Sequence, residues 1–155
     1  MLNIIILSVG KIKEKYFQEA FDEYFKRLKP YAKIEVQELK PEPFMSDSDK
    51  EKSKKIEGER ILKFLDNHKD REVIILDENG RNISSVKFSE YLFGINRQIV
   101  FVVGGTLGFS DDVLKKYKNK VSLSDMTFPH EMAKVILIEQ VYRAFAISKG
   151  KRYHY

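Results

Sequence analysis

A glycine-rich loop is the first stretch of this sequence with the makings of a chemical site. Gly104-Gly105-Thr106-Leu107-Gly108 follows an apolar run at residues 100–103 and precedes a helix that begins near Ser110. Glycines between a strand and a helix let backbone N–H groups approach a ligand closely. The spacing matches neither the dinucleotide-binding pattern nor a phosphate-binding loop. Taken alone, the loop fits a tight turn with a close strand–helix contact as well as it fits a cofactor site.

A polar segment at residues 122–128, Ser-Leu-Ser-Asp-Met-Thr-Phe, is the second candidate. Its hydroxyls and main-chain groups can hydrogen-bond a nucleoside while its three apolar side chains pack against a flat ring. An alternative is that Thr127 or Asp125 caps the following helix, with Pro129 in the first turn. The two roles are compatible, so both stay open at this point.

The end of the chain is a basic, aromatic tail. No acidic residue follows Glu139, and four cations give the last 16 residues +4 of the net charge of +5: Arg143, Lys149, Lys151 and Arg152. A charge excess at one end, beside tyrosines, suggests an anionic partner such as nucleic acid. Charge alone favours the simpler alternative of a solvated basic tail.

Metal chemistry is not expected. The chain has no cysteine, and none of its three histidines belongs to a histidine–carboxylate cluster with metal-ligand spacing. His130 stands at the start of a helix, where the helix dipole disfavours a cation. We therefore expect a neutral, hydrogen-bonding imidazole there.

The elements that must position these groups alternate along the chain. Apolar runs predict buried strands, a looser alternation predicts an edge strand, and apolar residues at helical spacing predict helices between them. The strands are predicted at residues 2–7, 33–39, 72–77 and 98–103, with a shorter one at 121–123. This order predicts an α/β fold whose mostly parallel sheet is covered by helices on both faces. Ligands bind such sheets at the carboxyl ends of strands, here after Leu76, Val103 and Leu123.

Four local expectations follow from the sequence. Asn79-Gly80 is typical of a tight turn with positive φ, which would end the strand at Asp77. The charged segment at residues 49–65 predicts an exposed helix whose first half is mobile. The last helix is apolar nearly all round, so a second copy of the chain is expected to cover part of it as a homodimer. A Glu139–Arg143 pair on that helix has favourable spacing.

The bulk properties bound the class of protein. At 155 residues, 43% of them hydrophobic, the chain suits a single domain spanning residues 1–155. It has no apolar run long enough to cross a membrane and no signal peptide, so a cytoplasmic location is expected.

At this point the sequence resembles a known family, the small SPOUT methyltransferases of the RlmH type. The resemblance runs through the whole chain. It rests on Leu76-Asp77, on Val103-Gly104-Gly105, on Met126-Thr127-Phe128-Pro129-His130, on Glu139-Gln140 and on the closing Tyr153-His154. The chain departs from the family's pattern at Lys134, where arginine is usual, and at Tyr155, where the family carries a terminal cation.

The resemblance implies a C-terminal trefoil knot, a homodimer and the cofactor S-adenosyl-L-methionine bound within the knot. It implies methylation of N3 of a pseudouridine in 23S rRNA on the assembled ribosome. By position, the cofactor contacts would be Leu76, Gly104, Gly105, Leu123, Ser124, Asp125, Met126, Thr127 and Phe128. Tyr153 and His154 would face the substrate, with His154 or water accepting a proton and Tyr153 and Arg143 positioning the reacting groups.

Three alternatives stay open from the sequence. One is a SPOUT methyltransferase that acts on another RNA, such as tRNA. Another is a non-catalytic RNA-binding module that uses the same tail. The third is a nucleotide-binding oxidoreductase, which the glycine loop alone permits.

Overall fold

A five-stranded, all-parallel sheet forms the centre of this computed structural model, which describes every residue from Met1 to Tyr155. The strands are β1 (Leu2–Val9), β2 (Ala32–Leu39), β3 (Glu72–Asn82), β4 (Ile99–Val103) and β5 (Lys120–Ser122), in the order β2-β1-β4-β3-β5. The helices are α1 (Lys15–Leu28), α2 (Asp47–Asp66), α3 (Ser85–Gly94), α4 (Asp111–Lys116) and α5 (His130–Ser148). Parallel strands need crossover connections, and the helices supply them. The predicted α/β class is confirmed.

The core has two layers because successive side chains of a strand point to opposite faces of the sheet. Ile4, Ile6 and Phe101 pack on one face against α1, α3 and α5. Ile5 and Val102 pack on the other face against α2 and α4. The central strands β1 and β4 are therefore covered on both sides, as their unbroken apolar runs predict, whereas β2 lies at an edge.

The predicted turn at Asn79-Gly80 is wrong. The strand continues to Asn82, and positive φ occurs only at three other glycines. Beyond an irregularity between Leu76 and Arg81, β3 pairs again with β5. A Cβ on Gly80 would lie 2.8 Å from backbone atoms of Lys120 and Val121. Glycine is needed here for the close approach of two strands, a long-range requirement that overrides the local turn chemistry.

Helix α2 is longer and better anchored than its charged sequence predicts. It begins at Asp47, and its buried Ser53 donates a hydrogen bond to the carbonyl of Pro43 at 2.9 Å. The buried carboxylate of Glu57 accepts one from the amide of Glu42, also at 2.9 Å. One face of the helix thus holds the segment that precedes it, and burial raises the pKa of Glu57.

Helix α5 buries one side against the sheet and leaves an opposite face open. The buried side includes Lys134, whose Nζ donates to the carbonyl of Gly10 at 2.7 Å. A single carbonyl acceptor suits a compact ammonium as well as a guanidinium fork, so lysine fits where the family usually has arginine. Burial lowers the pKa of Lys134.

None of the five helices combines the length and apolarity that crossing a bilayer requires.

We expect Gly80→Ala to lower the free energy of unfolding by roughly 1–3 kcal/mol, because the new methyl overpacks the β3–β5 contact. Urea denaturation measures the change. Gly94→Ala is the matched control: Gly94 ends α3, and nothing lies within 4 Å of its added Cβ. Equal unfolding midpoints for the two variants would contradict the close-approach explanation.

Candidate functional site

A cavity of about 790 Å³ opens at the carboxyl ends of β3, β4 and β5. Its walls are the part of β3 after Leu76, the loop after Val103 and the segment after Leu123, where ligands are expected in a parallel sheet. Eight of the nine residues predicted to contact a cofactor line it: Leu76, Gly104, Gly105, Leu123, Ser124, Met126, Thr127 and Phe128. Asp125 is the exception. The volume lies within the range of small-molecule sites.

The glycine loop forms a wall of the cavity that side chains would obstruct. A Cβ on Gly104 would lie 3.2 Å from the ring of Phe109, and one on Gly105 would lie 3.2 Å from Cγ1 of Val9. The loop closes on itself through a hydrogen bond from the amide of Gly108 to the carbonyl of Gly105 at 3.1 Å. Bare backbone therefore borders the cavity, which is the environment that a ligand with polar edges requires.

The polar segment is tied to the extended end of β3 by two side-chain pairs. Asn82 donates an amide hydrogen bond to the carboxylate of Asp125. Thr127 donates its hydroxyl to Glu78. The expected capping role is wrong for both residues, because the N-cap of α5 is Pro129 and no side chain caps it. Asp125 instead anchors the segment from outside the cavity.

Several residues of the cavity wall were not predicted from the sequence. Asp77, Glu78 and Asn79 reach it because β3 continues past its expected end. Phe109 and Lys54 also line it, the latter from α2. The sequence offers no signal for Lys54, which is one of several lysines on a charged helix and reaches the site only through tertiary packing.

His130 borders the cavity at the first turn of α5. Burial lowers the pKa of its imidazole, and the nearby ammonium of Lys134 lowers it further. The lowered pKa favours the neutral imidazole expected here, with burial rather than the helix dipole as the main cause. A neutral imidazole keeps one donor and one acceptor for hydrogen bonding.

Glu139 organises the basic tail. Its carboxylate accepts hydrogen bonds from Nη2 of Arg143 at 2.6 Å and from the hydroxyl of Tyr153 at 2.9 Å. The hydroxyl of Tyr24 on α1 lies 3.2 Å from that of Tyr153. Because the one hydroxyl proton of Tyr153 goes to Glu139, Tyr24 donates in this contact and Tyr153 accepts. Burial and these hydrogen bonds raise the pKa of Tyr153, so its hydroxyl stays protonated and acts as a donor. The sequence predicted the Glu139–Arg143 pair but not the role of Glu139 and Tyr24 in holding the tail.

His154 meets Arg143 through one ring nitrogen. Nη1 of Arg143 lies 3.2 Å from Nδ1 of His154. Arginine can only donate, so Nδ1 accepts and the proton of a neutral ring lies on Nε2. The imidazole thereby presents an N–H donor at the surface, backed by a guanidinium whose pKa is raised by its hydrogen bond to Glu139.

The tail and the cavity do not meet within one chain. Arg143, Tyr153 and His154 are absent from the cavity wall. Arg143 stands thirteen positions beyond His130 on the same helix, which at 1.5 Å per residue is about 20 Å. The predicted cofactor contacts and the predicted catalytic groups thus form two clusters.

Comparison with known proteins identifies relatives along the full length. Residues 2–154 match the family model described as predicted SPOUT methyltransferase. A protein of Clostridium perfringens named ribosomal RNA large subunit methyltransferase H 1 is 47% identical over 99% of both chains. A protein of Kosmotoga olearia named ribosomal RNA large subunit methyltransferase H is 41% identical, with 99% of this chain and 100% of that one covered.

Solved structures with the same fold are more distant in sequence. A probable methylase family protein from Haemophilus influenzae superposes with a TM-score of 0.55 at 16% identity, over 99% of this chain and 70% of that one. A putative methyltransferase of Legionella pneumophila, with bound SAM, has a TM-score of 0.54 at 13% identity, over 93% and 66%. These likenesses support the fold.

We expect Glu139→Gln to loosen the tail, because removing the carboxylate charge weakens its hydrogen bonds to Arg143 and Tyr153. Amide hydrogen exchange at Lys151 and Tyr153 should accelerate about tenfold, in keeping with the strength of charge-assisted hydrogen bonds. Glu23→Gln breaks a similar Glu–Arg pair on α1 and serves as the control. Equal tail protection in both variants would refute the role of Glu139.

Proposed function

The chain belongs to the SPOUT methyltransferase family, and on that premise we propose that it methylates ribosomal RNA of the large subunit with S-adenosylmethionine as methyl donor. Membership makes it a methyltransferase, so the oxidoreductase and the non-catalytic RNA-binding module are wrong. The observation that carries the proposal is the cavity formed by β3 and the segments after β4 and β5. Relatives that are named as large-subunit rRNA methyltransferases support it. Those names favour rRNA over tRNA.

The target we propose is N3 of a pseudouridine in 23S rRNA, reached on the assembled ribosome. The sheet and its covering helices extend from Leu2 to Ser148, so the RNA contacts proposed here come from this domain itself. A domain of this size gains specificity from a large, preformed target, and the ribosome supplies one. Its location would then be the cytoplasm. The trefoil knot of the family stays a prediction for this chain.

The cavity residues fit the donor. The wall at Gly104 and Gly105 carries no side chains, and a Cβ at either position would crowd Phe109 or Val9. The backbone amides of this wall suit the polar edge of an adenine or a ribose. Leu76, Leu123 and Phe128 offer apolar surface for a flat ring. When bound, S-adenosylmethionine supplies an electrophilic methyl group on a sulfonium.

The active site we propose is shared between two copies of the chain. Along the rigid helix α5, Arg143 and its docked tail lie ten positions, about 15 Å, beyond Ala133, the last residue of this helix in the cavity wall. On the outer face of α5, Met132 and Ile136 lie in line with Glu139 and Arg143 at helical spacing. All four are only half-buried. A second copy that packs antiparallel on this face would cover the apolar residues and bring each tail to the cavity of its partner.

The tail residues would act on the N3–H of the base. This proton is weakly acidic, and its loss leaves negative charge on the flanking carbonyl oxygens. The Nε2–H of His154 is placed to donate to such an oxygen, with the charge of Arg143 behind it. Tyr153 keeps its proton and holds the tail in place. In this arrangement water accepts the N3 proton, and His154 stabilises the anion instead of acting as the base.

Mass mapping of ribosomal RNA tests the substrate. Cells that lack this protein should lose one methyl group from a pseudouridine of the large-subunit rRNA, and the wild-type gene should restore it. A gene that encodes His154→Ala should restore less than a tenth of this methylation, because the hydrogen-bond donor to the developing anion is gone. An unchanged rRNA methylation pattern, or a methyl group lost from tRNA instead, would overturn the assignment.

Mixing two inactive variants tests the shared site. Gly104→Val should abolish donor binding in calorimetry, because its side chain crowds Phe109 at the cavity wall. His154→Ala should bind the donor normally yet fail to transfer methyl. After random exchange of subunits, an equal mixture should recover about a quarter of wild-type activity, since half the dimers contain one intact cavity facing one intact tail. A site within one chain predicts no recovery.

A further inference from the structure

A second basic surface lies beside the tail, where the ends of α1 and α5 meet. We call it the Tyr31 platform; it consists of Tyr31, Phe93, Phe145, Lys149 and Lys151. The ring of Tyr31 stacks on that of Phe145 at 5.7 Å, and Phe93 meets Phe145 edge-on at 5.0 Å. Nζ of Lys151 and of Lys149 lie 4.4 and 5.4 Å from the centre of the Tyr31 ring. Lys151 also donates to the Tyr31 hydroxyl.

The platform joins two segments of the chain that contain no acid. Residues 24–34 and 140–155 hold eight of the 28 lysines and arginines and none of the 23 acidic residues. The rest of the chain has 20 basic and 23 acidic residues, a net charge of −3. The positive charge of this protein is therefore gathered where the contacts of Tyr31 bring these segments together, although Tyr31 and Lys151 are 120 positions apart.

The cations of this region are available to a partner. Lys149 and Lys151 are exposed and form no ion pair, and the same holds for Lys29 and Arg152 nearby in sequence. Protein carboxylates therefore do not neutralise them, so a polyanion can do so with release of its counterions. Tyr31 itself is only half-buried.

We propose that the Tyr31 platform binds unpaired ribosomal RNA next to the target nucleotide, with Lys149 and Lys151 on phosphates and Tyr31 stacked on a base. This inference rests on the proposed function. Exposed aromatic rings flanked by cations are the chemistry that single-stranded RNA recognition uses, since every base has a flat face and every linkage a charge. The polar groups of the platform are two exposed ammoniums, which we place on phosphates, and the Tyr31 hydroxyl, which already accepts from Lys151. We therefore expect the platform to hold the strand without reading its sequence.

Salt-dependent binding to large ribosomal subunits tests the lysines. The double variant Lys149→Gln, Lys151→Gln should bind unmethylated subunits at least tenfold more weakly at low salt. Its plot of log affinity against log salt concentration should be shallower by about 1.4, the value for two lost phosphate contacts on a single strand. Lys52→Gln, Lys55→Gln removes two exposed, unpaired lysines of α2 and should keep the wild-type slope.

Substitution at Tyr31 separates stacking from the hydrogen bond to Lys151. Tyr31→Phe keeps the ring and should bind subunits within twofold of wild type, whereas Tyr31→Leu should lose about tenfold, as expected for one stacked base. The affinity for S-adenosylmethionine and the amide hydrogen exchange of the tail are measured on all variants. Unchanged values exclude a displaced tail as the cause of weaker binding.

The two proposals fail in different ways. A wild-type slope in the double lysine variant, while the wild-type protein methylates rRNA, overturns the platform and leaves the function standing. A shallower slope in a protein that transfers no methyl to rRNA overturns the function and leaves an RNA-binding platform. If the wild-type protein shows no salt-dependent binding to subunits, both are wrong.

Discussion

The length of α5 constrains everything else in this protein. One end of the helix carries His130 at the cavity wall, and the other carries Arg143 and the docked tail. A helix with its hydrogen bonds intact is rigid, so the rise of about 20 Å from His130 to Arg143 is fixed. Neither cluster is a complete site for methyl transfer. The cavity has space for a methyl donor but lacks the cations of the tail. The tail has hydrogen-bond donors and positive charge but no pocket. The second chain proposed above would resolve the mismatch, and the half-buried apolar residues on the outer face of the same helix would form its binding surface.

The cavity depends in turn on how far β3 continues. Because β3 runs to Asn82 beside β5, it places Glu78 and Asn82 where they hold Thr127 and Asp125. The polar segment, which has little regular structure of its own, is thereby fixed against the strand. The glycine loop closes the opposite wall against Val9 and Phe109. The site is thus built from backbone shape and a few side-chain ties, which explains why it has no cluster of titratable groups of the kind that metal sites show.

The sequence predicted those parts whose signals are local or periodic. Unbroken apolar runs gave β1 and β4, and Ser110 marked the start of α4. The rule that ligands bind at the carboxyl ends of parallel strands directed attention to the segments after Leu76, Val103 and Leu123, which line the cavity. What it could not predict depends on pairs far apart in the chain. The turn signal of Asn79-Gly80 was overridden by contact with β5, the carboxylate of Asp125 went to Asn82 instead of a helix cap, and Lys54 reached the cavity through packing. Tyr24 and Tyr31 meet the tail across more than a hundred residues, so the docking of the tail and the platform beside it appear only in three dimensions.

A crystal structure of the protein with S-adenosylmethionine bound tests the account most directly. The measured quantity is the distance from the donor methyl to the nearest His154 imidazole, together with the chain to which that imidazole belongs. The account predicts a donor lodged between the part of β3 after Leu76 and the loops after β4 and β5, with the imidazole of a second copy at the cavity mouth. A donor bound elsewhere, or a tail that folds back to the cavity of its own chain, would contradict it.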